Sequence, residues 1–239
     1  MAEQKTAVKI ANPEIERMFK AGAHFGYVKS RRHPSVKPLI FGVKNKMEIF
    51  DLEKTLPYLA KAKEFVSSIA EKNGTILFIG GKNESREAVK RAASSIGMPY
   101  VAGRWIGGTF TNFPQIRKRI ERMESLTSQR ERGELNKYTK KERLLIDREI
   151  ENLVRFFGGI ATLKELPKAV FVVDSRKEHI AVTEAKKVKI PVISLCGTDC
   201  NLAGVEYAIP GNDASVSSIT FFLNEIVAAY RDGQKKAKA

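Results

Sequence analysis

Apolar residues along the chain fall into short runs closed by glycine, proline or charge: Met47 to Leu52, Thr75 to Gly80, Met98 to Ala102, Ala169 to Asp174, Pro191 to Cys196 and Val205 to Ile209. Each run is strand-sized, and most have a helical pattern beside them. Between Leu52 and Lys72 the apolar positions are Leu52, Leu56, Leu59, Ala60, Ala62, Phe65, Val66 and Ile69, a stripe that stops near Asn73-Gly74. Glu84 to Ile96 is a second such stripe, closed by Gly97 and Pro99, and Glu178 to Val188 is a third, between "AVFVVDS" and "IPVISLC". Strands that are apolar on nearly every residue and alternate with amphipathic helices belong to a parallel sheet covered on both faces. The pattern predicts a doubly wound α/β layer.

One segment breaks the alternation. From Phe113 to Phe157 there is no strand signal; Ile116, Ile120, Met123 and Leu126 mark one helix, and Ile146, Ile150, Leu153 and Phe157 a second, with Gly133 punctuating the polar stretch between them. Each helix has a narrow apolar seam and charge elsewhere, which predicts an antiparallel helical hairpin projecting from the α/β layer. A pair lying flat on the core would need broader stripes. Asn12-Pro13-Glu14 supplies a cap, an N1 proline and an acidic first turn for a short helix through Lys20. The tail from Arg231, "RDGQKKAKA", is basic and poor in apolar residues, so fraying is expected there.

Charge narrows the partner. The 239 residues carry 42 Lys and Arg against 27 Asp and Glu, a net charge of +15, with 43% hydrophobic content to build a core. A polyanion with condensed counterions rewards many dispersed cations, whereas a small anionic substrate needs two or three, so nucleic acid is the expected partner. The longest apolar runs fall well short of the roughly 20 residues of a spanning helix. Met1 to Thr6 holds no apolar leader segment, so a cytosolic protein is expected. Cys196 and Cys200 are the only cysteines, in C-x-x-x-C spacing, and read as two core thiols.

Candidate chemistry is sparse. Gly80-Gly81-Lys82 sits between a strand and a helix, where backbone N–H groups would hold a phosphate, but it matches neither G-x-G-x-x-G nor G-x-x-x-x-G-K-[ST]. His24, Asp199 and Asp213 together would suit a divalent metal such as zinc, if the fold brought them together; otherwise His24 is a packed, hydrogen-bonded histidine. No G-x-S-x-G, C-x-x-C or H-E-x-x-H occurs, so no enzyme nucleophile is named. In "GRWIGGTFTNFPQIRKRIERM", Arg104, Gly107, Gly108, Thr109 and Asn112 offer a planar cation, bare backbone and small polar groups ahead of Arg117, Lys118 and Arg119. Those features suit a sugar-phosphate backbone. Trp105 reads mainly as a plug at the base of the hairpin. Lys29, Arg31, Arg32, Lys44 and Lys46 add a second basic group near the N-terminus. Two rivals stay open: a nucleotide binder using the Gly80-Gly81 turn, and a scaffold whose hairpin binds proteins.

"AGAHFGY", "PLIFGVKNKMEIFDLEKT", "ILFIGGK", "RWIGGTFTNF", "TKKE", "LPKAVFVVDSRKEHIAVTEAKKVKIPVIS" and "YAIPGND" run in the order seen in the bacterial type of the ribosomal protein S2 family, and the resemblance covers about Ile10 to Tyr230. It implies a flavodoxin-like, three-layer α/β domain with a parallel sheet, discontinuous over residues 1–112 and 158–230, an inserted antiparallel coiled-coil hairpin at 113–157 and a basic tail at 231–239. It further implies a non-enzymatic constituent of the small ribosomal subunit that needs no cofactor. Its implied partners are ribosomal RNA and neighbouring ribosomal proteins, ribosomal protein S1 among them, on a cytoplasmic or organellar ribosome. The family's R-W-[LI]-G-G falls on Arg104 to Gly108, H-F-G on His24 to Gly26 and I-P-G-N-D on Ile209 to Asp213. Where the family reads D-T-N-x-D-P, this chain has Gly197-Thr198-Asp199-Cys200-Asn201-Leu202, which puts a family-like zinc site in question.

Overall fold

A computed structural model describes residues 12–238; the expectation drawn from Met1 to Thr6 and the start of the resemblance at Ile10 lie outside them. Five parallel strands form the central sheet: β4 (Ile76–Ile79), β5 (Tyr100–Val101), β6 (Ala169–Val173), β7 (Val192–Cys196) and β8 (Tyr207–Pro210), in the order β5-β4-β6-β7-β8. Counted along the chain this is 2-1-3-4-5, the flavodoxin-like winding. Alternate residues of β6 feed the two faces. Ala169, Phe171 and Val173 meet helices α2 (Leu52–Glu71), α3 (Asn83–Ser94) and α7 (Val216–Lys238). Val170 and Val172 meet helix α6 (His179–Lys187) together with Trp105, Phe110 and Ile160. Every residue of β4, β6 and β7 is buried, so both faces of these strands are covered, as the unbroken apolar runs require.

The run at Met47 to Leu52 is a correction. Its strand, β3 (Met47–Phe50), lies outside the parallel sheet, in the middle of an antiparallel three-stranded sheet with β1 (Phe25–Val28) and β2 (Ile40–Lys44). Asn45 and Lys46 take φ values of 50° and 66° to turn β2 into β3, the left-handed geometry of a two-residue hairpin turn. This small sheet is tied to the carboxyl edge of the large one: the Tyr27 amide donates to Thr198 Oγ1 at 3.0 Å and the His33 amide to the Thr198 carbonyl at 2.8 Å.

Helices α4 (Phe113–Glu131) and α5 (Lys140–Phe157) form a pair whose main contacts are with each other and with the turns at their ends. Ile116, Ile120, Met123 and Leu126 are buried along one, Ile150, Leu153 and Phe157 along the other. The ion pairs Arg122–Glu149 and Arg130–Asp147 match descending against ascending numbers, as antiparallel packing requires. Gly133 supplies the left-handed turn, and Thr139 with Glu142 makes a capping box at the start of α5. At the N-terminal side, α1 (Pro13–Lys20) begins on the Asn12 cap.

The basic tail continues the last helix. Helix α7 runs to Lys238 because Ile219, Phe222, Leu223, Ile226, Val227 and Tyr230 bury one stripe of it. Gly233 then lets the helix lie directly on the Ser67–Ala70 turn of α2, where a Cβ would collide with backbone.

Candidate functional site

Ligands of doubly wound sheets bind outside the carboxyl ends of the strands, where the strand order reverses, here between β4 and β6. The loops that converge there carry Lys82 after β4, Asp174 after β6, Asp199 and Cys200 after β7, and Asp213 after β8. Lys82 Nζ lies 2.7 Å from Asp174 Oδ2 and 2.7 Å from Asp213 Oδ2, and donates to Tyr27 Oη at 3.2 Å. Asp174, held at a left-handed φ of 69°, accepts the amides of Arg176 and Lys177 at 3.0 Å each on Oδ1. Asp199 Oδ2 takes Arg176 at 2.8 Å and Arg31 at 3.3 Å, while the Arg31 guanidinium stacks over Tyr27.

Burial works against a charged Lys82, but the Asp213 and Asp174 charges outweigh it and hold the ammonium far above the ordinary lysine range. Burial also raises Asp174, yet the Lys82 charge, the Lys177 amide and the Cys200 thiol bring its carboxyl below the usual range. Asp213 is pushed up to about 6, first by burial and then by the Asp174 charge, against the pull of Lys82. The crevice is a buried, internally neutralised cluster.

Two alternatives that the sequence left open find no support here. The Gly80-Gly81 turn does not open on a phosphate seat, because a Cβ at Gly81 would collide with the buried Glu178 carboxylate and the one lysine of the turn is engaged by aspartates. The zinc trio does not assemble either. His24 is stacked on Phe19, at 4.3 Å, and meets the tilted ring of Phe25, at 4.0 Å, with its buried Nδ1 unpartnered among the described residues and its basicity lowered by burial. The ligand atoms that do converge, within 4.8 Å, belong to Asp174, Asp199, Cys200 and Asp213. The Lys82 ammonium already bridges two of them, and an acid at position 197 would start with its Cβ 2.5 Å from Asp213 Oδ1. The donor set does not fit zinc; Asp199 and Asp213 are ion-pair partners.

The Arg104 to Phe113 corner is built around a carboxylate from α6. Glu184, itself buried, accepts the Gly108 amide at 2.7 Å, the Phe110 amide at 3.0 Å and Trp105 Nε1 at 3.4 Å. The glycine pair thus wraps an internal anion, with Gly108 at a φ of 91°. Trp105 is buried against Phe110, and Thr109 is buried with its hydroxyl on the Ile106 carbonyl at 2.6 Å. Trp105 is thus packed as the plug its sequence context suggested, and neither its side chain nor that of Thr109 is open to a partner.

The remaining candidates divide by what they hold. Arg32 binds the buried Glu48 at 2.8 Å, Arg31 binds Asp199, and Arg117 lies between Glu121 and the Ala161 carbonyl. Lys29, Lys44, Lys46, Arg104, Lys118 and Arg119 are exposed, as are Gly107 and Asn112. None of those six cations is ion-paired among the described residues. Beside Lys44, edge strand β2 leaves Phe41 79% exposed and Val43 57% exposed. Sequence reasoning missed Lys82 as a bridge, Asp174, Arg176, Glu178 and Glu184. Glu184 alone left a signal, an acid on the face of α6 that carries Ala181 and Ala185.

The family model of ribosomal protein S2 matches residues 18–233. Small ribosomal subunit protein uS2 of Bdellovibrio bacteriovorus is 41% identical over 95% of this chain and 72% of its own length. The protein of that name from Pseudoalteromonas atlantica is 41% identical over 95% of this chain and 93% of its own, and that from Sulfurimonas denitrificans 42% identical over 91% and 84%. No helix among the described residues is long and apolar enough to cross a membrane. A flavodoxin-like sheet whose ligand crevice is filled from within, matched over residues 18–233 by the family model and over more than nine-tenths of the chain by these relatives, identifies the chain as a member of the ribosomal protein S2 family of structural, non-enzymatic ribosomal proteins.

Proposed function

We propose that this protein is a constituent of the small ribosomal subunit that binds ribosomal RNA and neighbouring ribosomal proteins, supporting subunit assembly and translation on cytoplasmic ribosomes. The observation that carries the reading is the division of its charges. Lys82, Arg31 and Arg176 at the strand-end crevice are consumed internally, while Lys29, Lys44, Lys46, Arg104, Lys118 and Arg119 remain exposed and without an ion pair among the described residues, on a chain of net charge +15. Exposed cations on several elements suit phosphates spread along a folded RNA, read by position and shape rather than by base. The exposed Phe41 and Val43 edge suits a protein neighbour, and ribosomal protein S1 is the partner the family resemblance implies.

The test is binding to small-subunit particles lacking this protein, measured against salt with nucleotides as competitors. Saturable one-to-one binding that weakens steeply with salt and ignores millimolar nucleotide is expected; displacement by nucleotide would return the function to the Gly80-Gly81 turn. Arg104→Ala is expected to leave folding intact, weaken binding modestly and lower the salt slope by about one. An unchanged slope would remove Arg104 from the interface. Arg32→Ala should instead act on stability, because it strands the buried Glu48.

A further inference from the structure

The outer edge of the sheet carries a groove that the linear sequence hides. It lies between α3, the residues that follow β5 and the end of α5, encloses about 440 Å³, and gathers Arg86, Lys90, Arg104 and Arg155. All four are exposed, and none is ion-paired among the described residues. Glu87 is the only acid in the lining. Arg86 and Lys90 are one turn apart on α3, so they share a face and repel each other in the free chain. Arg155 is steadied over the Phe156 ring, 5.5 Å from its centroid. The floor is close backbone: Gly159 packs so near the Tyr100 carbonyl that any side chain there would collide with it.

We infer that this groove seats a stretch of RNA sugar-phosphate backbone. The inference rests on the ribosomal reading and adds three cations, Arg86, Lys90 and Arg155, to it. Four uncompensated cations from three separate elements, open to solvent and facing one carboxylate, are complementary to a run of phosphates. A compact phosphorylated metabolite would call for buried donors, and none of these cations is buried. Guanidinium forks bind phosphate oxygens in pairs, and the bare glycine backbone at 158 and 159 permits close approach.

The combined variant Arg86→Ala, Lys90→Ala, Arg155→Ala is compared with the wild-type chain on naked small-subunit ribosomal RNA and on particles lacking this protein, across a salt series. Unfolding of both chains is followed in parallel, and an unchanged midpoint is expected because all three side chains are exposed. The variant is expected to bind both targets more weakly, with a salt slope lower by about two to three. Wild-type binding with an identical slope and affinity for the variant would overturn the groove while leaving the ribosomal reading intact. Loss of binding to particles with unchanged binding to naked RNA would assign the groove to a protein neighbour and overturn the inference. Failure of the wild-type chain to bind either target would instead remove the ribosomal reading itself.

Discussion

Lys82→Met is expected to lower the unfolding free energy by about 3–5 kcal/mol near neutral pH, the cost of removing one partner from a buried ion pair. Methionine keeps the aliphatic stem and removes only the ammonium, which stands 2.7 Å from both Asp174 and Asp213. The two carboxylates then face each other in a buried site with no cation between them. The pH dependence separates this from ordinary loss of packing. In the native chain the folded-state Asp213, at about 6, lies above its unfolded value of about 3.9, so folding takes up protons and its contribution to stability falls as pH rises from about 4 to about 6. Asp174 works the other way: its folded value is depressed, so its contribution is present above the unfolded value and is lost as pH falls through the folded one. Without Lys82 the depression of Asp174 disappears and Asp213 rises further, so the penalty should be large at pH 7.5 and shrink towards pH 5. Urea denaturation of both chains at the two pH values measures it. A difference that stays constant between them would mean the ammonium does not set these carboxylates.

Much of the architecture was legible because its strands are buried on both faces. Such strands leave continuous apolar runs, and β4, β6, β7 and β8 fall where those runs fall. Met47 to Leu52 produced a similar run but went to a different sheet. The turn at Asn45-Lys46 was the clue, since two left-handed residues between apolar segments make a hairpin rather than a crossover. Helix α7 holds a helical period at Ile219, Phe222, Leu223, Ile226, Val227 and Tyr230, but its last turns, after Arg231, are basic and carry no apolar stripe to mark them as helix.

The site was less legible for a topological reason. Lys82, Asp174, Asp199 and Asp213 each follow a different strand, and only the order β5-β4-β6-β7-β8 makes those strand ends neighbours. His24, which a residue-type search places with carboxylates, is instead held by two aromatic rings. The groove at Arg86, Lys90, Arg104 and Arg155 was hidden for the same reason, since α3, the loop after β5 and α5 meet only in three dimensions. Charge could be counted from the sequence, but its division into engaged and exposed cations required the fold.

Glu184→Ala is expected to cost about 3–4 kcal/mol, since it strands the Gly108 and Phe110 amides and Trp105 Nε1 in a largely buried corner, and hydrogen bonds to a charged group contribute about 1.5–3 kcal/mol each without adding fully. For a chain of this size that lowers the midpoint of thermal unfolding by roughly 10 °C. Trp105 is the only tryptophan, so its emission reports the corner directly. A shift to longer wavelength is expected in the folded variant as the indole loses its packing against Phe110. Glu184→Gln keeps one carbonyl oxygen for the Gly108 amide and Trp105 Nε1 but turns an NH2 group towards the Phe110 amide, so an intermediate loss is expected. If the motif were a phosphate seat, removing the carboxylate would free three N–H donors and added inorganic phosphate would restore the midpoint of the alanine variant. A corner built as an internal anion site around Glu184 predicts no such rescue at millimolar phosphate, because Glu184, Trp105, Thr109 and Phe110 are buried against one another.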